Sequence, residues 1–477
     1  MEAVYDSMTK MFNKKNIKNI IVYLICISIL FIVHVTSPAG LSQVGFKMLG
    51  IAVISALLWS TDAAPIPITA LIIIFLQTIL GVADLNEVLK YIAHPVNALL
   101  FVGFSLSAGL QKYNLDKKIS IKIIEYAGTN VKKLILSVMC VVAVLSMWMS
   151  NTSTTAIMIP IAASILRMAK GEHKNIGKAF MIGIAYAGTI GGMATPVGTT
   201  PNPITIGFLQ EMAGISLTFL DWVAIGLPFA VVLVPLAWFL LTWIYPPEVE
   251  EVDVVDISSL DDDQGETDQL GVNKFLFYFG LIVVLWLSGS FLPVPDGWLY
   301  IVSLGGSIVL YLPLFGVLEW KDAEESVDWG VLILIGGGLA LGSGLSSTGV
   351  ISWIIGFFEQ GIQGLPISLV AILVAALTSI SILFFCSITA TSTAFVPLAI
   401  TLAMQIDANP IILAAAAGLA SSFAYLLPAN TPPNAIAYTE GYFETKDMIK
   451  SGVILLVLSI IVFAVISQVL WPFMFQF

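Results

Sequence analysis

Long apolar runs separated by short polar stretches fill this sequence from about residue 18 to its end. Runs at roughly 18–36, 47–61, 66–82 and 95–111 predict helices of membrane-crossing length, at 1.5 Å of rise per residue. A basic stretch follows, with Lys112, Lys117, Lys118, Lys122, Lys132 and Lys133, and then the apolar segment 134–166. In its middle stands an uncharged polar run, Ser150-Asn151-Thr152-Ser153-Thr154-Thr155. Lipid cannot satisfy such groups, so they must face protein, water or a ligand. One hydroxyl alone usually bonds back to its own helix. A continuous run of six instead predicts a break between two helices. Arg167, Lys170, Lys174 and Lys178 follow, so both flanks are basic. Cytoplasmic loops collect Lys and Arg, which predicts a re-entrant hairpin entering from the cytoplasm with its tip in mid-membrane.

The span that starts near 179 cannot stay helical. Pro196, Pro201 and Pro203 fall within a Gly- and Thr-rich stretch, Gly188 to Pro203, and each removes an amide donor. A span at about 221–245 closes the first half. The segment 246–272 is rich in Glu and Asp, has no Lys or Arg, and reads as a solvated acidic linker. The second half predicts spans at about 275–292, 297–316 and 329–357, a long apolar segment at 366–405, a broken span at 410–439 around Leu427 to Asn434, and a last span at 449–470. The flanks of 366–405 hold Glu359 and Asp407 but no Lys or Arg, which predicts a hairpin entering from outside. On this path every one of the 20 Lys and Arg residues except Lys47 and Lys90 lies inside. The N-terminus is then cytoplasmic and the C-terminus outside.

The halves repeat. Ser150, Thr152, Thr154 and Pro160 recur as Ser387, Thr389, Thr391 and Pro397, displaced by 237 residues. Gly103, Gly109 and Leu110 recur as Gly338, Gly344 and Leu345, displaced by 235, and Pro196, Thr199, Pro201 and Asn202 recur as Pro428, Thr431, Pro433 and Asn434, displaced by 232. Three anchors in the same order, in halves that enter from opposite sides, predict an inverted repeat with a binding site between the tips. The fold class is thus an all-α polytopic membrane protein with about 11 transmembrane helices and two re-entrant hairpins. Residues 1–129 and 273–360 would form one part, and 130–245 and 361–477 the other, with 246–272 as the linker.

Composition agrees. The chain is 58% hydrophobic and 11% charged, with a mean hydropathy of +0.96, whereas soluble domains carry about 25% charged residues. The net charge of −11 arises largely in the linker, and no nucleic-acid partner is expected. Cys26, Cys140 and Cys386 lie in apolar runs without metal-ligand spacing and read as small buried hydrophobes. No charged residue falls in a mid-membrane stretch. The site therefore offers hydroxyls, amides, unwound backbone and helix N-termini, which together suit an anion. A membrane-embedded enzyme would need a nucleophile and base, and none of His34, His94 and His173 sits near a tip.

Ser150-Asn151-Thr152, the turn Thr195-Pro196-Val197-Gly198-Thr199-Thr200-Pro201-Asn202, and Asn430-Thr431-Pro432-Pro433-Asn434 resemble the divalent-anion/sodium symporter family of dicarboxylate carriers, as does Trp59 to Pro65. The resemblance spans nearly the whole chain. It implies an elevator-type homodimer in the cell membrane that carries small dicarboxylates and has no organic cofactor. It also implies that Ser150, Asn151, Thr152, Thr199, Ser387, Thr389, Thr431 and Pro432 meet the substrate, and that Ser146, Ser150, Asn151 and Gly198 hold sodium. The second half departs from the pattern: Leu383 stands at the position of Ser146, Ile388 at that of Asn151, and Asn430 at that of Gly198. Two oxygen-bearing side chains are lost there. That leans the expectation toward sodium-independent exchange of one anion for another, with sodium-coupled symport as the alternative.

Overall fold

The structure is a computed structural model that describes residues 14–36, 38–168, 174–251, 268–357, 361 and 364–471. Lys170, His173, Glu359 and most of the acidic linker lie outside the described residues. The first half consists of α1 (Lys14–Val35), α2 (Gln43–Thr61), α3 (Ile66–Ile79), α4 (Leu85–Leu89), α5 (Val96–Lys112), α6 (Leu115–Ala127), α7 (Val131–Ser146), α8 (Asn151–Met168), α9 (Lys174–Gly192), α10 (Pro201–Ala213) and α11 (Phe219–Ile244). The second half consists of α12 (Gln269–Ser288), α13 (Trp298–Tyr311), α14 (Trp320–Ser326), α15 (Trp329–Ser347), α16 (Val350–Gly356), α17 (Ile367–Phe385), α18 (Ile388–Gln405), α19 (Pro410–Ala420), α20 (Pro432–Thr439) and α21 (Thr445–Val469). Among the described residues, nine helices are long and apolar enough to cross a membrane, and three shorter apolar ones, α3, α13 and α19, accompany them.

The repeat is visible in the elements. Hairpin α7–α8 matches hairpin α17–α18, and the broken pair α9/α10 matches α19/α20. Each broken helix reaches into the other half. α10 packs on α18 and α19, while α20 packs on α8 and α9. The unwound segments are held by the same device. Asn202 Nδ2 donates to the carbonyls of Gly192 (2.9 Å) and Thr195 (2.6 Å). Asn434 Nδ2 donates to those of Ala424 (2.7 Å) and Leu427 (3.0 Å). All three positions are displaced by 232 residues. Carbonyls left without helical partners must be satisfied where they are buried, and one asparagine does this in each half.

The half-helices restart at Pro201 and Pro432. Proline is tolerated in a first turn, where its missing N–H would have no partner anyway. The run 329–357 is divided by Gly349 in the left-handed region (φ 76), which separates α15 from α16. The start of the linker is not free: Glu248 accepts from the amides of Asn175 (2.6 Å) and Ile176 (3.2 Å) and so caps α9. Of the cysteines only Cys26 is buried; Cys140 and Cys386 are exposed.

Candidate functional site

Both tips are built by a serine cap. α7 ends at Ser146, the chain turns through 147–150, and α8 begins at Asn151. Ser150 Oγ accepts from the amide of Ser153 at 3.1 Å. In the second half Ser387 Oγ accepts from the amide of Ala390 at 3.2 Å, at the start of α18. Each bond satisfies an amide that has no intrahelical partner. The expectation of a break through all six polar residues is corrected: the cap lets the helix restart at Asn151, so Thr152 to Thr155 are helical. Thr154 and Thr155 are fully buried inside the packing.

The tips open onto one cavity of about 810 Å³. Ser150, Asn151, Thr152, Gly198 and Thr199 line it from the first half, and Ser387, Thr389, Thr431 and Pro432 from the second. Of the residues singled out from the sequence, Ser146 alone stays off the wall; it is fully buried beneath the first tip. Thr200, which the sequence reading passed over, bonds across the repeat to Thr389, with 2.7 Å between the hydroxyl oxygens. It stands beside Thr199 in the unwound turn, where both hydroxyls were available candidates. The N-terminal ends of α8, α10, α18 and α20 all reach the wall. Each carries roughly half a positive charge; α8 and α18 add amide donors, whereas α10 and α20 open on prolines, which have no N–H to offer.

Among the described residues no Lys, Arg or His lines this cavity, whereas Asp62, Glu325 and Asp328 do. These three carboxylates lie just beyond the ends of apolar runs, and nothing in the hydropathy pattern assigns them to the cavity wall. The positive ends of helices, rather than cationic side chains, are what the site offers a negative charge.

Beneath the first tip is a cluster of oxygens. With its amide oriented to satisfy its neighbours, Asn151 Nδ2 donates to Gly188 O (3.1 Å), Ser146 Oγ (3.1 Å) and Gly198 O (3.2 Å). In that orientation its Oδ1 accepts from Thr199 Oγ1 at 3.3 Å. Turning the amide over brings Oδ1 among the other three oxygens, a donor set of hydroxyl, amide and carbonyl oxygens suited to a small hard cation. Ser146, Asn151 and Gly198 are thus brought together. Ser150 is not among them, because its hydroxyl is used as the cap, and Gly188 O takes its place. The close packing requires glycine at two points. A Cβ on Gly192 would lie 2.5 Å from Asn151 Oδ1, and one on Gly198 would lie 2.5 Å from Gly192 O.

The second tip differs. Asn430 is buried, its Nδ2 donating to Ile382 O at 3.2 Å and its Oδ1 accepting from the amide of Leu427 at 2.9 Å. An amide N–H group, which repels a cation, stands at the position matching Gly198. Leu383 and Ile388 add no oxygen.

Paired hairpins, reciprocally broken helices and a polar cavity between the halves define a polytopic helical protein of transporter architecture. The chain belongs to the family described as the sodium:sulfate symporter transmembrane region, whose model matches residues 13–477. A sodium-dependent dicarboxylate transporter of Staphylococcus saprophyticus is 32% identical, over 91% of this chain and 88% of that protein. A Na(+)/citrate cotransporter of Rattus norvegicus is 28% identical, over 86% of this chain and 88% of its own length. An uncharacterized transporter of Haemophilus influenzae is 32% identical over 97% of this chain. In fold the chain is similar to the YdaH transporter of Alcanivorax borkumensis, with a TM-score of 0.59 over 82% of this chain and 90% of that one at 15% identity.

Proposed function

We propose that this protein carries small dicarboxylates across the cell membrane, coupled to sodium held at the first tip. The observation that carries the reading is the cavity between the tips: hydroxyls of both halves, four helix N-termini and, among the described residues, no cationic side chain. One carboxylate would sit at Thr152 and Thr199 and the other at Ser387, Thr389 and Thr431. A dianion in a low-dielectric site needs its charge offset, and sodium beside Asn151 would supply positive charge while organising the tip. Ser146 Oγ, Asn151 Oδ1, Gly188 O and Gly198 O would hold it. Relatives described as sodium-dependent dicarboxylate and sodium/citrate carriers support both assignments. On this reading the parts 130–245 and 361–477 move together against 1–129 and 273–360 as an elevator within a homodimer, with the N-terminus cytoplasmic and the C-terminus outside.

Exchange without sodium is the second reading, and Asn430 is the observation that favours it. With Asn430 Nδ2 turned to Ile382 O and no side-chain oxygen from Leu383 or Ile388, the second tip offers a cation fewer ligands than the first. Uptake of labelled succinate into proteoliposomes tests both. Accumulation in empty vesicles driven by a sodium gradient supports coupling. Uptake that requires internal dicarboxylate and ignores sodium supports exchange. No uptake under any of these conditions refutes the substrate class.

A further inference from the structure

Thr200 reaches the cavity because of the prolines that follow it. It is the cap residue of α10, where a threonine hydroxyl ordinarily accepts from an amide two or three residues on. Pro203 has no N–H, and the amide of Asn202 donates to Thr199 O at 3.2 Å. The Thr200 hydroxyl therefore makes no capping bond and stands on the cavity wall. Its partner is set free in a similar way. Thr391 and Thr393 bond back to the carbonyls of Ser387 and Thr389, each at 2.8 Å. Thr389 lies in the first turn of α18 and bonds across the repeat to Thr200 instead, at 2.7 Å.

Thr200 also breaks the symmetry of the wall. With the displacement of 232, Thr199 matches Thr431 and Pro201 matches Pro433, but Thr200 matches Pro432. Both line the cavity, and a proline side chain offers no hydrogen bond. The other polar difference between the tips, Asn151 against Ile388, is engaged beneath the first tip. One half thus presents a hydroxyl that the other lacks. Succinate has two identical ends and gives that hydroxyl nothing to tell apart. An unsymmetrical diacid does.

On the dicarboxylate reading, on which this inference rests, Thr389 gives its proton to a substrate carboxylate. A hydroxyl has one proton and two lone pairs. Thr389 then has no proton left for Thr200, so Thr200 donates to Thr389 Oγ1 and meets the substrate with lone pairs alone. That oxygen calls for a donor. A carboxylate or a ketone only accepts, whereas an alcohol donates. We propose that Thr200 is a specificity-determining residue that accepts a hydrogen bond from a hydroxyl on carbon 2 of the substrate, so that the carrier prefers 2-hydroxy diacids of the malate type. Carbon 2 adjoins the carboxylate held by Thr389, which brings its hydroxyl beside Thr200. The wall is chiral, so one enantiomer is favoured.

Thr200 is only half-buried, and water can satisfy it when the substrate lacks the hydroxyl. The discrimination is therefore that of one ordinary hydrogen bond, about three- to tenfold, rather than the roughly 10,000-fold of a sealed site. The experiment is isothermal titration calorimetry of the purified full chain in detergent at saturating sodium. The probes are both enantiomers of malate, succinate and freshly dissolved oxaloacetate. One enantiomer of malate should bind about three- to tenfold more tightly than the other and than succinate. Oxaloacetate, which brings only an acceptor to carbon 2, should bind no more tightly than succinate. Thr200→Val keeps the branched shape and loses the hydroxyl, and should bring the favoured enantiomer to within about twofold of succinate. Thr200→Ser should keep the preference. Equal affinity for all four diacids, tightest binding of oxaloacetate, or an undiminished malate preference in Thr200→Val would each overturn the proposal and leave the dicarboxylate reading standing. Binding of none of the four would overturn both. If Thr200→Val does not fold, the comparison of the two enantiomers with succinate on the parent chain still decides it.

Discussion

Replacing Ser146 by alanine removes one oxygen from the cluster under the first tip and nothing from the cavity wall. Its Oγ is fully buried and lies 3.1 Å from the Asn151 amide nitrogen. In the ion-free protein the cost is small, because Asn151 still donates to Gly188 O and Gly198 O. A lost neutral hydrogen bond of this kind costs about 1 kcal/mol, which a folded membrane protein should withstand. With sodium present the loss is a contact to a full charge, worth about 1.5–3 kcal/mol. The sodium concentration for half-maximal uptake should then rise roughly 10- to 100-fold. The substrate KM at saturating sodium should hold, since Ser146 does not line the cavity. The assay is initial-rate uptake of labelled succinate into proteoliposomes across a sodium titration. Leu383→Ala, at the matching position of the second tip, serves as the control and should leave the sodium curve in place. An unchanged sodium requirement in Ser146→Ala would refute the assignment of the cluster. Uptake indifferent to sodium in the parent as well would move the protein to the exchange reading.

Thr152→Ala and Thr389→Ala should each weaken dicarboxylate binding about 10- to 100-fold, as loss of one charge-assisted hydrogen bond predicts, with expression retained; unaltered uptake in both would reduce the tips to helix–helix packing. Cys386 lines the cavity beside Ser387 and is exposed, so a charged thiol reagent should label it and succinate should slow the labelling; modification at the same rate with substrate present would place the substrate elsewhere. Cysteines substituted for the exposed Lys133 and Arg167 should label from the cytoplasm, and those at Gly361 and Asp407 from outside; labelling of one hairpin's two flanks from opposite sides would refute its re-entry.

Hydropathy determined most of the long helices, the polar tips and the charge of their flanks the two hairpins, and the repeated motifs the halves, while α6 lay in a stretch legible only as basic. In a membrane every backbone polar group must be satisfied within its own segment, so apolar length translates directly into helix. The polar tips were legible for the same reason: Ser150 to Thr155 and Ser387 to Thr391 stand where lipid permits no such residues. Their displacement by 237 residues marked them as one site. The role of each side chain was decided only by the tertiary structure, because a hydroxyl in a run is equally able to cap, pack or face a ligand until its neighbours are known. Ser150 became a cap, Thr154 and Thr155 became packing, and Thr200 joined Thr389 across the repeat. Gly188 contributes a backbone oxygen that no residue type announces. Asp62 reached the cavity from the α2–α3 turn, and Glu325 and Asp328 from α14 and the connection that follows it, because those elements converge there. Asn430 fills its own tip because the carbonyl of Ile382, far from it in sequence, lies within reach of its amide. Which polar atoms meet is set by the packing of one half into the other, and that contact is encoded in no single stretch of the chain.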